Sequence, residues 1–318
     1  MHHALTLAAR ALGRVAPNPA VGCVIVSPDG RVVGRGMTQD GGRPHAETIA
    51  LAQAGKAARG ATAYVTLEPC AHLGKTPPCA DALIGAGIAR VVAAVEDPDP
   101  RVQGQGFARL RAAGIEVVTR LMEAEGTALN AGYFLRICEN RPLVTLKLAQ
   151  SADHKTIPPR GADRWITGKE AQRFAHLLRA RHDAVLVGVN TVIEDDPELT
   201  VRLPGLEKYS PLRVVLDRKG RMPKTAKLAR PDTVVLADDI PVVLEKLAER
   251  GVTRLLVEGG MMVARAFAGV VDRFELFTAP HTLGAAAGGD IGALPLNFLR
   301  VNKRLLGTDT LESYVRRA

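Results

Sequence analysis

The chain has 318 residues, of which 47% are hydrophobic, 24% charged and 4% aromatic, and its formal net charge is +9. This composition is ordinary for a soluble globular protein. No stretch of about 18 uninterrupted apolar residues occurs, which excludes a transmembrane helix, and no run of about five or six like charges indicates a nucleic-acid-binding tail. The positive charge suits an anionic small substrate, a dinucleotide or a nucleic acid, without choosing among them.

The N-terminal segment 1–10 predicts an amphipathic helix that lacks the continuous apolar core of a signal peptide. We therefore expect a cytoplasmic protein in which Cys23, Cys70, Cys79 and Cys138 do not form a disulfide framework. Cys23 lies in the apolar run V-G-C-V-I-V and is expected in the core. Cys138 ends a helical segment and is expected to be inert.

The first part of the chain alternates strand and helix patterns. A hairpin is predicted because the apolar runs 21–26 and 31–34 flank the turn sequence S-P-D-G. Helices are predicted at 45–54, 78–87, 106–114 and 121–138, and buried strands at 62–67 and 90–95. The alternation predicts a layered α/β domain with a mostly parallel sheet.

Asn140-Arg141-Pro142 interrupts this pattern, so we divide the chain into domains 1–141 and 142–318. The second part predicts another α/β domain, with an acidic loop at 194–197 and a flexible Gly/Ala loop at 284–289. Its predicted strands are 143–148, 184–187, 212–216, 233–236, 254–257 and a final pair, and its predicted helices are 168–179, 242–250 and 261–268.

Four residues, His45, Glu47, Cys70 and Cys79, form a pattern typical of zinc deaminases. One imidazole and two thiolates leave a fourth tetrahedral position on zinc open for water. A glutamate two residues from the histidine is placed to move the protons of that water. Because Cys79 opens a predicted helix, its thiolate form is favoured. The pattern predicts hydrolytic removal of an amino group from an amidine-like ring carbon, with Glu47 as the proton shuttle.

Two structural alternatives are weaker. A purely structural zinc site needs a fourth ligand, for which His72 is a candidate, and it leaves Glu47 without a role. Packed cysteines beside a capping His–Glu pair do not explain why a predicted strand leads directly into Glu68-Pro69-Cys70.

Six strings distributed along the chain carry a family resemblance. They are A-P-N-P-A-V-G-C-V-I-V (16–26), P-H-A-E (44–47), A-T-A-Y-V-T-L-E-P-C-A-H-L-G-K-T-P-P-C (61–79), W-I-T-G (165–168), T-V-I-E-D-D-P-E-L-T-V-R (191–202) and V-E-G-G (257–260). The two zinc-site cysteines bracket eight residues, whereas cytidine- and tRNA-type deaminases usually have about two between them. By these strings the chain resembles the bifunctional deaminase/reductase family of riboflavin biosynthesis over nearly its whole length.

The resemblance implies a cytidine-deaminase-like first domain that deaminates a diaminopyrimidine carrying a phosphoribosylamino arm. By position, His45, Cys70 and Cys79 would hold one Zn²⁺ ion, and Glu47 would be catalytic. The substrate-binding residues implied in the same way are Asn18, His72, Lys75, Thr76, Asp97 and Asp99. A cation and a hydroxyl on a glycine-containing loop suit a phosphate.

The resemblance also implies a dihydrofolate-reductase-like second domain that uses NADPH to reduce the ribose of the deaminated product to a ribityl chain. Lys147 and Asp195 would be its catalytic residues, and this fold suggests a homodimer through the reductase domain. The implied substrate-binding residues are Asp163, Arg179, Leu199, Arg202 and Glu258. The implied cofactor-binding residues are Ala149, Trp165, Thr191, Asp195, Arg218, Gly259 and Gly260, the glycines forming a turn suited to pyrophosphate.

Several positions depart from the family pattern. Thr38 stands in place of a common histidine, and Asp99 in place of a common asparagine. The family string S-L-D-G-R is S-A-D-H-K at 151–155. Asp163 replaces a serine and would repel an anionic substrate unless it points away. Arg218 replaces a small polar residue and could meet the 2′-phosphate of NADPH.

Two other functions compete with this interpretation. The net charge of +9 would suit a base deaminase with an RNA-binding second domain, but the few aromatic residues argue against stacking platforms for bases. The altered string at 151–154 would suit a non-enzymatic dinucleotide-binding or regulatory protein with a vestigial second domain. We expect a small-molecule substrate, no nucleic-acid partner and no membrane association.

Overall fold

The computed structural model describes residues 1–72, 77–290 and 297–317. Contacts divide the chain into two units, Met1–Arg141 and Pro142–Ala318. No helix in the described ranges is both long enough and apolar enough to cross a membrane.

The first unit is built from a sheet and flanking helices. Its strands are β1 (Gly22–Val26), β2 (Val32–Met37), β3 (Thr62–Val65), β4 (Arg90–Ala93) and β5 (Glu116–Val118). Its helices are α1 (His2–Ala9), α2 (Ala46–Ala54), α3 (Cys79–Gly85), α4 (Gln105–Ala112) and α5 (Glu123–Glu139). The elements predicted for this part are present with small shifts at their ends, and the structure adds β5.

The strand order of this sheet is β2-β1-β3-β4-β5. The predicted hairpin is confirmed, since β1 and β2 pair antiparallel. The prediction of a mostly parallel sheet is wrong. β1 is antiparallel to β3 as well, and only the pairs β3/β4 and β4/β5 are parallel. A tight turn can join only antiparallel strands, so the hairpin makes the sheet mixed.

Small residues bring α2 directly onto the hairpin. A Cβ atom on Gly36 would lie 2.0 Å from the carbonyl oxygen of Ala46, and one on Gly34 would lie 2.2 Å from that of Ala50. No larger side chain fits between the helix and the strand. This close packing holds the first turn of α2, with Glu47, at a defined position over the sheet.

The second unit has a larger sheet. Its strands are β6 (Leu143–Gln150), β7 (Lys155–Ile157), β8 (Ala184–Gly188), β9 (Leu212–Leu216), β10 (Thr233–Leu236), β11 (Arg254–Val257), β12 (Arg273–Thr278), β13 (Gly288–Asp290), β14 (Phe298–Leu306) and β15 (Asp309–Arg316). Its helices are α6 (Lys169–Ala180), α7 (Val189–Asp195), α8 (Ile240–Glu249) and α9 (Met261–Phe267).

The main sheet has the order β10-β9-β8-β11-β6-β12-β15-β14, and β13 pairs with β7 separately. The first six strands in this order, from β10 at the edge to β12, run parallel to one another. β15 is antiparallel to both of its neighbours, β12 and β14. Two predictions need correction here. The acidic segment 194–197 begins inside α7, and the end of the Gly/Ala stretch pairs as β13.

The alternation of side chains along β6 places Lys147 near one edge of this sheet. Val144, Leu146 and Leu148 pack in one core cluster, whereas Ala149 packs against a cluster on the opposite face. Alternation puts Lys147 on the same face as Ala149, near the carboxyl end of the strand. Parallel strands bring their carboxyl ends together, and ligands bind at that edge.

Candidate active sites

Three side chains of the first unit form a candidate metal centre. Nδ1 of His45 lies 3.3 Å from Sγ of Cys79 and 3.7 Å from Sγ of Cys70. All three ligand atoms lie within 4.8 Å of one another. Ligands at about 2.0–2.3 Å from a tetrahedral zinc ion would be separated by about 3.5 Å, so the donor set fits zinc.

The two thiols of this centre have opposite protonation preferences. Hydrogen bonds from Cys79 and His45 lower the pKa of Cys70 to about 4, against the effect of burial. The hydrogen bond with Cys70, together with burial, raises the pKa of Cys79, which corrects the expectation that the helix start favours its thiolate. The backbone N–H of Cys79, at the start of α3, also donates to Sγ of Cys70 at 3.3 Å. Cys70 is thus prepared as a thiolate by the helix start that presents Cys79.

Glu47 is buried beside this centre. Its exposed fraction is 3%, and it lies in the first turn of α2. Burial, and next the charge of Cys70, raise the pKa of Glu47 to about 7. A carboxyl group of this kind can both accept and release a proton near neutral pH.

The carboxylate of Glu68 anchors the segment Glu68-Pro69-Cys70, which carries one of the candidate metal ligands. It accepts backbone N–H bonds from Asp97, Gly104, Gly106 and Phe107 at 2.9–3.3 Å. Sequence reasoning gave this residue no role, although it directly precedes Pro69-Cys70. The sequence did place an acidic residue at the end of a predicted buried strand. A buried carboxylate requires several hydrogen-bond donors, which would have indicated a structural role.

A cavity of about 260 Å³ opens onto the metal centre. The structure brings the predicted Asn18, His72, Asp97 and Asp99 together in its wall, beside His45, Glu47 and Cys70. Lys75 and Thr76 lie outside the described residues, so their predicted contact with phosphate stays a prediction. Among the polar residues of the wall that sequence reasoning missed are Arg43, Arg101, Tyr133 and Arg136.

Two positions in this wall depend on local structure. Nδ1 of His72 is buried and has no hydrogen-bond partner among the described residues. Thr38 accepts the N–H of Val21 at 2.9 Å and donates to the carbonyl of Pro19 at 3.2 Å. Thr38 therefore stabilises the turn that carries Asn18, whereas Nδ1 of His72 is available to form a hydrogen bond with a ligand.

The second unit contains a cavity of about 530 Å³ at the carboxyl edge of its sheet. Residues predicted for catalysis, substrate and cofactor meet in its wall. They are Lys147, Ala149, Trp165, Arg179, Thr191, Asp195, Arg202, Glu258, Gly259 and Gly260.

A buried ion pair lies at the centre of this wall. Nε and Nη2 of Arg179 donate to Oε1 and Oε2 of Glu258 at 2.6 and 2.9 Å. Burial lowers the pKa of Lys147, and the nearby charge of Glu258 opposes that effect. Arg179, a predicted substrate-binding residue, has its charge balanced by buried Glu258, whereas Arg202 has only an exposed pair with Glu198 at 3.6 Å and is the more accessible of these two cations for an anion.

Three predicted residues are not brought into this wall. Leu199 is 3% exposed and packs in the core with a left-handed φ of 55°. The carboxylate of Asp163 accepts the backbone N–H of Trp165 at 3.0 Å. Arg218 pairs with Asp239 at 2.7 Å on the surface. The binding roles of these three residues stay predictions. The carboxylate of Asp163 already has a hydrogen-bond partner within its own turn.

Family models and known proteins match both units. A model described as "RibD C-terminal domain" matches residues 142–311, and one described as "Cytidine and deoxycytidylate deaminase zinc-binding region" matches residues 1–95. The riboflavin biosynthesis protein RibD of Aquifex aeolicus is 43% identical over 333 residues, covering 96% of this chain and 93% of that protein. This chain belongs to the RibD family.

Other members of the RibD family agree. The Escherichia coli protein is 41% identical, with 91% of this chain and 89% of that protein covered. The solved structure of Acinetobacter baumannii RibD, form 1, has a TM-score of 0.90 at 37% identity, covering 100% of this chain and 98% of that one. A Thermotoga maritima deaminase/reductase structure has a TM-score of 0.88 at 35% identity, covering 99% and 97%. The predicted cytidine-deaminase-like domain followed by a reductase domain is confirmed.

Membership in the RibD family makes this chain a bifunctional deaminase and reductase of riboflavin biosynthesis, with Zn²⁺ and NADPH as cofactors. The reductase cavity fits NADPH in two respects. Oγ1 of Thr156 in its wall is buried without a partner among the described residues. Gly259 and Gly260 line the cavity, and a Cβ on Gly260 would have no atom within 4 Å, so this strand-to-helix turn leaves open space beside its backbone at the carboxyl edge. Such turns leave the backbone accessible to a dinucleotide.

Proposed function

We propose that the first unit deaminates 2,5-diamino-6-(5-phosphoribosylamino)pyrimidin-4-one, and that the second unit reduces the ribosyl group of the product to ribityl with NADPH. The Thermotoga maritima relative is titled a diaminohydroxyphosphoribosylaminopyrimidine deaminase/5-amino-6-(5-phosphoribosylamino)uracil reductase. The observation that carries the proposal is the His45, Cys70 and Cys79 centre with a buried Glu47 facing the same cavity.

In the deamination step Glu47 moves the protons. Zinc held by His45, Cys70 and Cys79 would supply a Lewis acid that lowers the pKa of water. Glu47 takes one proton from the water whose oxygen adds to the amino-bearing carbon and gives it to a ring nitrogen; it then takes the second proton from that oxygen and gives it to the amine, which leaves as ammonia when the C–N bond breaks. Burial raises the pKa of Glu47 above that of an exposed carboxyl group, which favours the uptake of a proton. Asn18 and the unpartnered Nδ1 of His72 hold the substrate in the cavity.

In the reduction step the polar chemistry falls to Lys147 and Asp195. NADPH would supply the hydride to the ribosyl carbon. Burial lowers the pKa of Lys147, with the charge of Glu258 opposing that effect, so Lys147 can donate a proton to the ribose ring oxygen when the bond between that oxygen and the reduced carbon breaks. Asp195, at the end of α7, faces the same cavity, and Arg202 binds the phosphate of the substrate.

Further parts of the proposal concern assembly and location. We infer a homodimer through the reductase unit, no nucleic-acid partner and a cytoplasmic location. The family's small-molecule substrates and the two cavities support a metabolic enzyme. Size determination in solution and cell fractionation test these parts separately.

The decisive assay supplies the phosphoribosylated diaminopyrimidine to the zinc-loaded chain with and without NADPH. We expect ammonia release in both cases and NADPH oxidation only after deamination. Ammonia without NADPH oxidation would contradict the reductase proposal alone.

Glu47→Gln serves as the matched variant for the deaminase step. It should retain zinc and lose deamination by about a factor of 10² or more, while reduction of the deaminated product continues. Deamination at wild-type rate by Glu47→Gln would exclude Glu47 as the proton shuttle.

A further inference from the structure

Two neighbouring charged residues, Asp99 and Arg101, stand in the wall of the deaminase cavity. The side chain of Asp99 is only 6% exposed, whereas that of Arg101 is 74% exposed. Nε of Arg101 donates to both carboxylate oxygens of Asp99, at 2.9 and 3.1 Å, and its backbone N–H donates to Oδ1 at 3.0 Å. The guanidinium is therefore held in one place from both its backbone and its side chain.

The other acids of this wall have different partners. Glu68 is satisfied by four backbone N–H groups. Asp97 accepts the hydroxyl of Tyr133 at 3.2 Å and the N–H of Asp99 at 2.9 Å, and burial raises its pKa to about 6. Asp99 differs, because the hydrogen bond from Arg101 lowers its pKa and keeps it charged.

A charged carboxylate at this place conflicts with the proposed substrate. The phosphoribosyl arm carries a phosphate, and a like charge within one small cavity disfavours its binding. Bidentate pairing with a guanidinium is the contact that best cancels a carboxylate charge.

We propose that Arg101 determines the acceptance of a phosphorylated substrate by cancelling the charge of Asp99, so that the two residues act as one neutral unit in the cavity wall. Arg101 is in this sense a specificity-determining residue that acts through Asp99. The inference rests on the proposed deaminase function and adds a requirement that applies only to anionic substrates.

The experiment compares the full-length, zinc-loaded wild type with Arg101→Ala and with the double variant Asp99→Asn/Arg101→Ala. Each is assayed for ammonia release on the phosphorylated substrate and on the same compound without its phosphate. Arg101→Ala should raise the KM for the phosphorylated substrate about tenfold at low salt, with kcat nearly unchanged, because Asp99 is left uncompensated. The increase should shrink at high salt.

Two comparisons separate charge cancellation from other roles. The double variant should bring the KM for the phosphorylated substrate back to within about threefold of wild type, and the ratio of the KM values for the phosphorylated and dephosphorylated compounds should rise only in Arg101→Ala. Arg31→Ala, which removes an exposed ion pair with Asp29 in the β1–β2 turn, is the control and should leave KM unchanged. Zinc content should be equal throughout.

The outcomes are distinguishable. Wild-type protein that releases no ammonia contradicts the proposed function and this inference with it. Wild-type activity with an unchanged KM in Arg101→Ala overturns the inference alone. A raised KM that the double variant does not restore also overturns it, because Arg101 would then contact the substrate or support the wall directly.

Discussion

The carboxylate of Glu68 accepts the backbone N–H of Gly106 at 2.9 Å, which joins the segment carrying Cys70 to the start of α4. The same carboxylate accepts the N–H of Asp97 at 3.3 Å. One side chain therefore connects a metal ligand with the loop that carries Asp97 and Asp99. Its four hydrogen-bond partners among the described residues are all N–H donors, which suit an ionised carboxylate that accepts with both oxygens.

Replacing Glu68 with Gln should therefore weaken the first unit. The amide NH₂ group would face N–H donors, which costs about 1–3 kcal/mol of the free energy of unfolding. We expect a lower zinc affinity and slower deamination, with NADPH-dependent reduction of the deaminated product unchanged. Zinc titration and the two activity assays on one preparation measure this, and equal loss of both activities would contradict it.

Gly106→Ala should disrupt the same junction by steric overlap. The added Cβ would lie 2.0 Å from the carbonyl oxygen of Pro69, so α4 or the metal-binding segment must move. We expect a loss of about 1–3 kcal/mol in stability and a marked fall in deamination. Gly85→Ala in α3 is the control, because no atom lies within 4 Å of its added Cβ. Urea unfolding and ammonia release should separate the two variants, and similar behaviour would count against the junction.

The Arg179–Glu258 pair should be essential to the second unit. Their side chains are 14% and 8% exposed, so Glu258→Ala leaves a largely buried guanidinium without its carboxylate. We expect a cost of about 3–5 kcal/mol. Lys246→Ala, which breaks a more exposed pair with Asp238, should cost about 1 kcal/mol or less. Fluorescence of Trp165, the single tryptophan, reports unfolding of this unit.

His182 should make the second unit less stable in mild acid. It is 2% exposed and bonded to Leu178 and Thr145, and burial lowers its pKa to about 3. An unfolded histidine titrates near pH 6.5. Below that pH the unfolded chain gains a proton that the folded chain excludes, so stability falls as the pH decreases from about 6.5 toward about 3.

The matched variant for this effect is His182→Gln, which does not titrate. Between pH 7 and pH 5.5 the wild type should lose about 1 kcal/mol more stability than the variant. Urea unfolding followed by Trp165 fluorescence at the two pH values measures the difference. Identical pH dependence in both proteins would show that His182 does not carry it.

Much of the first site could be predicted because its chemistry is local. A histidine two residues before a glutamate at a helix start, and a strand leading into Pro-Cys, specify ligand types and their order along the chain. The structure brings His45, Cys70 and Cys79 within 4.8 Å of one another, as that pattern requires. Apolar alternation likewise predicted most elements, since burial has a period that the sequence displays.

Partnerships between distant residues could not be predicted. Glu68 finds its donors 29 to 39 residues away, and Arg179 meets Glu258 across 79 residues. The carboxylate of Asp163 accepts the backbone N–H of Trp165, and the guanidinium of Arg218 donates to Asp239.

The sequence by itself determined the order of the two domains and the family to which they belong, and it predicted the metal ligands and the proton shuttle, because these depend on residue type and short spacing. Only the tertiary structure decided which charges are paired, which acids are satisfied by backbone donors and which predicted residues face a cavity. Those properties depend on how strands and helices close against one another, and a charged side chain takes whichever partner that closure brings within hydrogen-bond distance.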